Sequence, residues 1–509
     1  MEKYIIGIDS GTTGIKAVLF DTQGKEIAKK GIALQGYFPE ENQYEEDMLE
    51  IWDSAMTCVK DVAGKVDASY IIGLGITAQG DGLWMVDEEG EPVRRGCCFC
   101  DGRAAEFVDE WVEDGTCEKL FKACGTWICT GNQNGIVRWM EKYEKESLDK
   151  SRWLLHLKDY LFFKFTGEIT SDATDQSLIL LDQKKRDYLD EAFTLCGIDK
   201  YKDKYPPIKS AKENAFKILP QVAESVGLTD DVLITSGPMD VGACALGSGV
   251  IEKGHCCSIM GTAALHEMVI DEPLMDDIPS GMTVAHVMEG RWLRLMSSFA
   301  GTPNLEWCLK TLGSKVKEDA AAAGKDVYAY MEDMIKEVPI GSNGVMYHPY
   351  LLAGGERAPF TDSRARASYT GLNVRNTLAD VVRATYEGVA FAMLDCYQHM
   401  PLPIDQITIC GGGANSSAWC QMFADALGSR IVTVEGEELG ARGVAINNAV
   451  VQGIFPSYQD AVEKIVKIKK VYEPDMKNHE KYMKFYKLYT AGYENMQKMW
   501  KTRAKIMKE

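Results

Sequence analysis

The order of the first three segments restricts this chain more than any other feature. Tyr4-Ile5-Ile6-Gly7-Ile8-Asp9 reads as a buried strand, Gly11-Thr12-Thr13-Gly14 as a tight turn and Ile15 to Phe20 as a second strand. Walker A and Rossmann loops run from a strand through glycines directly into a helix N-terminus, so strand, glycine turn, strand removes both. What remains is a hairpin whose backbone N–H groups and Thr12 and Thr13 hydroxyls close around a phosphate, with Lys16 as a nearby cation. Asp9, ending the strand, suits Mg²⁺ held through water, because Mg²⁺ prefers a few carboxylates, retained waters and phosphate oxygens. An ordinary Asp-Ser-Gly turn is the competing account, and this motif alone leaves the two even.

The second half repeats the first in outline. Cys256 to Ala264 is again strand, Gly261-Thr262 turn, strand, which we take as a weak internal duplication. Two such hairpins facing across a cleft grip both ends of a triphosphate. Gly411-Gly412-Gly413 with Asn415 adds a loop, between a strand at Gln406 to Cys410 and a helix from Ser416 to Leu427, where missing Cβ atoms let backbone approach a base or phosphate. A dinucleotide site is the rival there: Gly411 and Gly413 fit its first two glycines and Glu435 follows at about the right distance. Ser416 stands in the third glycine's place and the segment lies late in the chain, so a nucleoside triphosphate ranks higher.

Asp240 follows the strand Val232 to Thr235 and the turn Gly237-Pro238. There it can accept the proton of a substrate hydroxyl as general base, although Asp is also a common helix N-cap. Gln79, Asp81, Asp101 and Arg103 lie in or beside strand ends, the composition of a site that hydrogen-bonds several hydroxyls; as a set they are better than even. His156 and Lys158-Asp159 border the same wall, with His156 weighted toward a satisfied core histidine. The small residues from Val241 to Gly249 predict a close-packed helix, and the Lys-rich segment from Lys477 an amphipathic surface helix.

Composition narrows the partners. Over 509 residues the net charge is −19, a field that repels phosphodiester backbones and anionic lipid, so neither nucleic acid nor a membrane surface is expected. No apolar run reaches the roughly 18 residues of a membrane span. The 15 cysteines, an odd number without repeated spacing, predict free thiols in a reducing compartment, and Cys97, Cys98 and Cys100 lack the second pair that zinc would need. We therefore expect a cytoplasmic protein. A length of 509 residues suits two or three domains, with the expected division at 1-248 and 249-509.

In the order in which they occur, these segments resemble the FGGY carbohydrate kinases of the actin-like ATPase superfamily, from Tyr4 to about Phe455. Gly7-Ile8-Asp9-Ser10-Gly11-Thr12-Thr13 is similar to the family's first phosphate motif, and Ser236-Gly237-Pro238-Met239-Asp240 to the segment whose aspartate is the catalytic base. Ala367 to Leu372 with Asp380 to Glu387 resembles the C-terminal signature, and Cys410 to Asn415 the adenosine-binding loop. Trp139-Met140-Glu141-Lys142 fits the N-terminal signature, but Ile136 stands where a lysine is usual. The resemblance implies an α/β fold of two actin-like ATPase (ribonuclease H-like) domains flanking a deep nucleotide cleft. ATP and Mg²⁺ would serve as cofactors and a small sugar or polyol as acceptor.

Carried over residue by residue, Asp240 would be the base and Asp9 the metal residue. Thr12, Thr13, Lys16, Gly261 and Thr262 would hold phosphates, Gly412, Gly413 and Asn415 the nucleotide, and Gln79, Asp81, Asp101 and Arg103 the substrate. Glycerol kinases usually carry Arg-Glu after the glutamine at position 79, and D-xylulose kinases Met-His-Gly; here it is Gln79-Gly80-Asp81-Gly82. That loop, with His156 to Leu161 and Tyr347-His348-Pro349-Tyr350, looks closest to erythritol and L-xylulose kinases. The expectation is γ-phosphoryl transfer to a primary hydroxyl of an open-chain polyol or ketose, and a homodimer is compatible with it. Two alternatives share the fold: an actin-like ATPase switch and a non-catalytic sugar sensor.

Overall fold

The computed structural model describes residues 3–275, 280–352 and 354–507. Elements used below are, through the first half, β1 (Tyr4–Gly11), β2 (Gly14–Asp21), β3 (Glu26–Ala33), β4 (Glu45–Glu46), α1 (Met48–Ala63), β5 (Ile71–Ala78), α2 (Leu157–Thr166), β6 (Ala215–Lys217), β7 (Leu233–Ser236) and α3 (Asp240–Gly247). The second half contributes β8 (His255–Met260), β9 (Ala264–Ile270), α4 (Leu378–Gln398), β10 (Gln406–Gly411), α5 (Ser417–Leu427), β11 (Arg430–Val434), α6 (Leu439–Val451), β12 (Ile468–Tyr472) and α7 (Met476–Ile506).

The chain divides into two compact α/β units. One comprises Met1–Lys253, Val269–Arg294 and Gly436–Lys467, and the other Gly254–Met268, Leu295–Glu435 and Ile468–Glu509. Two segments of the second half thus return to the first unit, where sequence reading expects one break after residue 248.

In the first unit a six-stranded sheet runs in the order β6-β7-β5-β1-β2-β3. β1 pairs antiparallel with β2 from Tyr4↔Asp21 to Gly11↔Gly14, as the N-terminal pattern predicts. It pairs in parallel with β5, Asp9 opposite Thr77, and β5 pairs in parallel with β7. Both faces of the central strands β1, β5 and β7 are covered, which is why these strands read as continuous apolar runs. On one face Ile6, Ile8, Ile15 and Leu19 pack with Ile51, Ala55, Val59 and Val62 of α1. Asp47 caps that helix by accepting from the backbone of Leu49 and Glu50. On the other face Ile5, Val18 and Phe20 meet Ala441, Ala445 and Ala449 of α6.

That second contact is unusually close. A Cβ at Gly7 would lie 2.1 Å from the Ala441 carbonyl oxygen, and one at Gly75 2.4 Å from that of Val444. The expected small-residue helix is α3, and its partner is also α6: a Cβ at Gly443 would lie 1.9 Å from the Ala243 carbonyl oxygen, and one at Gly247 1.9 Å from that of Leu439.

The second unit repeats the theme. β8 pairs antiparallel with β9 and in parallel with β10, which is followed by β11 and β12. The 21-residue α4 opens with a capping box between Thr377 and Asp380. Its Tyr386 packs edge-on against Trp419 of α5. The Lys-rich tail forms the 31-residue α7, amphipathic as expected, and buries Tyr482, Tyr489, Tyr493, Met496 and Trp500 within this unit.

Candidate active site

In a parallel sheet the carboxyl ends of adjacent strands form the natural crevice for ligands. Here β1, β5 and β7 end together. Gln79 N–H donates to the Ser10 carbonyl at 2.8 Å, Gly237 N–H to the Ile76 carbonyl at 2.8 Å, and the Thr77 hydroxyl to the Pro238 carbonyl at 2.7 Å. These bonds tie the segments carrying Asp9, Gln79 and Asp240 into one rim. A shallow pocket of about 370 Å³ lies beside the β1–β2 hairpin, lined by Asp9, Gly11, Thr13, Gly14, Lys16 and Gly31 among others.

Asp9 is half-buried beneath the first turn of α6. A Cβ at Gly440 would fall 2.4 Å from Asp9 Oδ2, so only glycine lets the helix start there. Burial is the main cause that pushes its carboxyl up to about 6; Glu438 adds to the rise and Lys16 opposes it. Lys16 does not stand as an open cation, since its ammonium pairs with Glu438 at 2.9 Å. Asp240 is the first residue of α3, not its cap; Met239 holds that place. Its carboxylate accepts from Val241 N–H at 2.8 Å. Burial first, and then the charge of Asp9, push it up to about 7. Two carboxylates held above their ordinary range chiefly by burial, Asp240 also by the charge of Asp9, form an oxygen-rich donor set that Lys16 only partly offsets. This suits a hard divalent ion such as Mg²⁺.

The four residues expected to hold a substrate fare differently. Asp81 sits in the left-handed region, φ 60°, beside Gly82 at φ 74°, and accepts from Asn132 Nδ2 at 2.7 Å. The loop thus turns sharply at the rim, a conformation Asp tolerates better than most residues. Gln79 is 2% exposed and its amide is engaged inside the unit by Thr12, Glu46 and Cys98. Asp101 and Arg103 form a buried bidentate pair at 2.8 and 2.9 Å, with Arg103 also bound to Glu45 and stacked on Trp139. Their polar groups are directed at one another, and they brace the wall. Cys97 and Cys98 are buried and Cys100 is exposed, and among the described residues none of the three forms a disulfide.

Behind that wall Lys158, fully buried, pairs with Asp172, Asp175 and Asp159 and donates to Ser236 at 2.9 Å. These three carboxylates have a metal-like grouping, but the ammonium already fills its centre. His156 is 2% exposed and meets Asp159 and Gln176, the satisfied core histidine that was expected.

In the second unit Gly261 and Thr262 form the β8–β9 turn. Met260 pairs with Gly411 at the end of β10, so this turn and the glycine loop sit side by side. Gly411 has φ 76°, Gly412–Asn415 forms one 3₁₀ turn, and Ser416 caps α5 by accepting from Trp419 N–H. A Cβ at Gly413 would lie 2.7 Å from that of Met260. Thr302, which no sequence signal singles out, donates both its N–H and its hydroxyl to the Gly261 carbonyl at 2.9 and 3.0 Å. Glu46 and Gly440 were likewise missed. The small-residue run Gly440-Ala441-Arg442-Gly443 was the available sign of the second.

A Gly-Thr hairpin repeated in two α/β units, with strand-end carboxylates grouped in the first copy and open glycines in the second, defines a two-domain phosphotransferase. The chain belongs to the FGGY family of carbohydrate kinases, whose N-terminal domain model matches residues 4–247 and C-terminal domain model residues 256–451. Among its relatives are an erythritol kinase of Brucella abortus, 28% identical over 90% of this chain and 89% of that protein, and an L-xylulose/3-keto-L-gulonate kinase of Escherichia coli, 26% identical over 96% of both. The solved structure of a ligand-bound xylulose kinase from Lactobacillus acidophilus has the same fold, with a TM-score of 0.91 at 23% identity, covering 98% of this chain and 99% of that one. As a family member the chain is a carbohydrate kinase, a phosphotransferase acting on sugar hydroxyls, and its family implies the use of ATP. Among the described residues no helix is long and apolar enough to cross a membrane.

Proposed function

We propose that the chain transfers the γ-phosphoryl group of ATP to a primary hydroxyl of a small open-chain polyol or ketose, of the erythritol or xylulose class, in the cytoplasm. The observation that carries this reading is the pair Asp9, at the end of β1, and Asp240, at the start of the helix that follows β7, half-buried carboxylates of which the first raises the second. Asp240 takes the proton of the attacking hydroxyl, and its value of about 7 is matched to a base that must accept a proton near neutral pH. Asp9 orients hydrated Mg²⁺, which when bound supplies charge neutralisation to the phosphate oxygens. The hairpin at Thr12 and Thr13 positions the transferred group, with the Lys16–Glu438 pair at its flank. Gly261, Thr262, Gly412, Gly413 and Asn415 take the nucleotide, where the exposed Gly412 has no side chain to hold a ligand off the backbone and the buried Gly413 packs on Met260. Catalysis in such a site is positioning and charge stabilisation.

The acceptor class rests on the relatives' names and on the Gln79–Gly82 loop, where Gly80 lets the backbone pack against Met239 and Leu178 and Asp81 supplies a carboxylate at the rim. Asp101 and Arg103 act by holding that rim, and Gln79 by holding Thr12. ADP release measured over erythritol, glycerol, the xyluloses, ribulose and gluconate tests the assignment. Turnover with a C4 or C5 acceptor is expected, and release independent of any sugar would mean an ATPase switch instead. Asp240→Asn should lower phosphoryl transfer by about a thousandfold or more while leaving nucleotide affinity within a few-fold. A variant that kept its turnover would remove Asp240 from the base position.

A further inference from the structure

One amide joins three distant parts of the first unit. Gln79, past the end of β5, donates through Nε2 to Glu46 Oε2 on β4 at 2.7 Å. Its Oε1 accepts the Thr12 hydroxyl of the β1–β2 hairpin at 2.9 Å and the Cys98 thiol at 2.8 Å. Glu46 is 1% exposed, and its second oxygen, Oε1, is buried without a hydrogen-bond partner.

The direction of these bonds matters. A hydroxyl has one proton and two lone pairs. Because Thr12 commits its proton inward to Gln79 Oε1, the hairpin's mouth meets only lone pairs at Thr12 Oγ1. A phosphate oxygen is itself an acceptor and gains nothing from them. Thr12 can serve either end of an amide, so it does not choose the orientation of Gln79. Glu46 does once it is ionised, above its raised value of about 8, because a flipped amide would then set Gln79 Oε1 against an accepting carboxylate oxygen and would turn a donor toward the thiol.

Building on the phosphotransferase reading, we propose that Glu46 is a positioning residue. By fixing the Gln79 amide it makes Thr12 an acceptor for an O–H donor in the phosphate hairpin, and not a donor to phosphate. That O–H belongs either to water on the hydrated cation or to the sugar hydroxyl. Thr12 therefore reads hydration or acceptor, while backbone N–H groups hold the phosphate itself.

The test compares Glu46→Leu, which frees the amide, with Thr12→Val, which removes the hydroxyl. Titration calorimetry of a non-hydrolysable ATP analogue, with and without Mg²⁺, is paired with acceptor kcat/KM, both at about pH 9, where Glu46 is ionised. If the donor is metal-bound water, both variants lose about tenfold in the Mg²⁺-dependent gain of nucleotide affinity. If it is the sugar hydroxyl, both lose about tenfold in acceptor kcat/KM instead. In either case metal-free analogue affinity stays within about twofold. Weaker metal-free binding by Thr12→Val would overturn the inference, because Thr12 would then be donating to phosphate. So would a Thr12→Val defect that Glu46→Leu does not share, or no change in any quantity. Should Glu46→Leu fail to fold, Glu46→Met takes its place. A wild-type chain that phosphorylated no sugar would sink the functional reading alone, since the calorimetric arm would still judge Thr12.

Discussion

At the scale of single residues, the site is governed by carboxylates kept away from water. Asp9, Asp240 and Glu46 are pushed up to about 6, 7 and 8, in each case chiefly by burial, against roughly 4 in an unfolded chain. An acid raised on folding stabilises the native state fully below its unfolded value, and this contribution is lost as pH rises through the folded value. Metal-free protein should therefore lose stability between about pH 4 and pH 8 at these groups. A divalent cation beside Asp9 opposes that loss only where the carboxylates are ionised. Millimolar Mg²⁺ is expected to raise the thermal midpoint by several degrees at pH 8 and hardly at all at pH 5. Equal shifts at both pH values would mean that the ion does not meet these groups. The same field predicts an acid limb in acceptor kcat/KM that moves to lower pH as Mg²⁺ is raised. Asp9 and Asp240 were legible from the sequence because each ends a strand-and-glycine motif. Glu46 was not, because its importance comes from an amide 33 residues away.

At the scale of elements, α6 organises the first unit. It packs against β1, β5 and α3 at distances that only glycine permits at Gly7, Gly75, Gly247 and Gly443. Gly443→Ala places a Cβ within 1.9 Å of the Ala243 carbonyl oxygen, so α3 and α6 must separate. Overpacking of this kind costs about 1–3 kcal/mol or more, and chemical denaturation should show that loss. Because the first turn of α6 overlies Asp9, Mg²⁺-dependent nucleotide binding should weaken in the same variant. Unchanged stability would mean that the helix pair yields more easily than its backbone contacts suggest. The strand–turn–strand hairpins, the glycine loop before α5 and the close-packed helix α3 were all readable in the sequence, since hydrophobic period and turn residues are local signals. The partner of α3 was not readable, because a run of small residues announces a close contact without saying with what.

For the whole molecule, each unit has its own sheet and core, and the chain enters the first unit three times. Unfolding is therefore expected to depart from a single two-state transition. Calorimetry should resolve more than one component. A metal-free ATP analogue should raise one component and leave another in place, since a ligand stabilises only what it binds. One cooperative peak that moves as a whole would show that the units unfold together.

From residue order alone came the α/β class, the two Gly-Thr hairpins and the strand-end acids, because each depends on neighbours within a dozen positions, and the kinase family, from the order of such local motifs along the chain. Tertiary structure alone decided that Lys16 is taken by Glu438, that Asp101 and Arg103 satisfy each other, and that the Thr12 proton points inward. It also decided that residues 436–467 complete the first unit. The reason is physical: hydrogen-bond direction, ion pairing and desolvation depend on which groups meet across hundreds of residues, and local pattern does not encode those meetings.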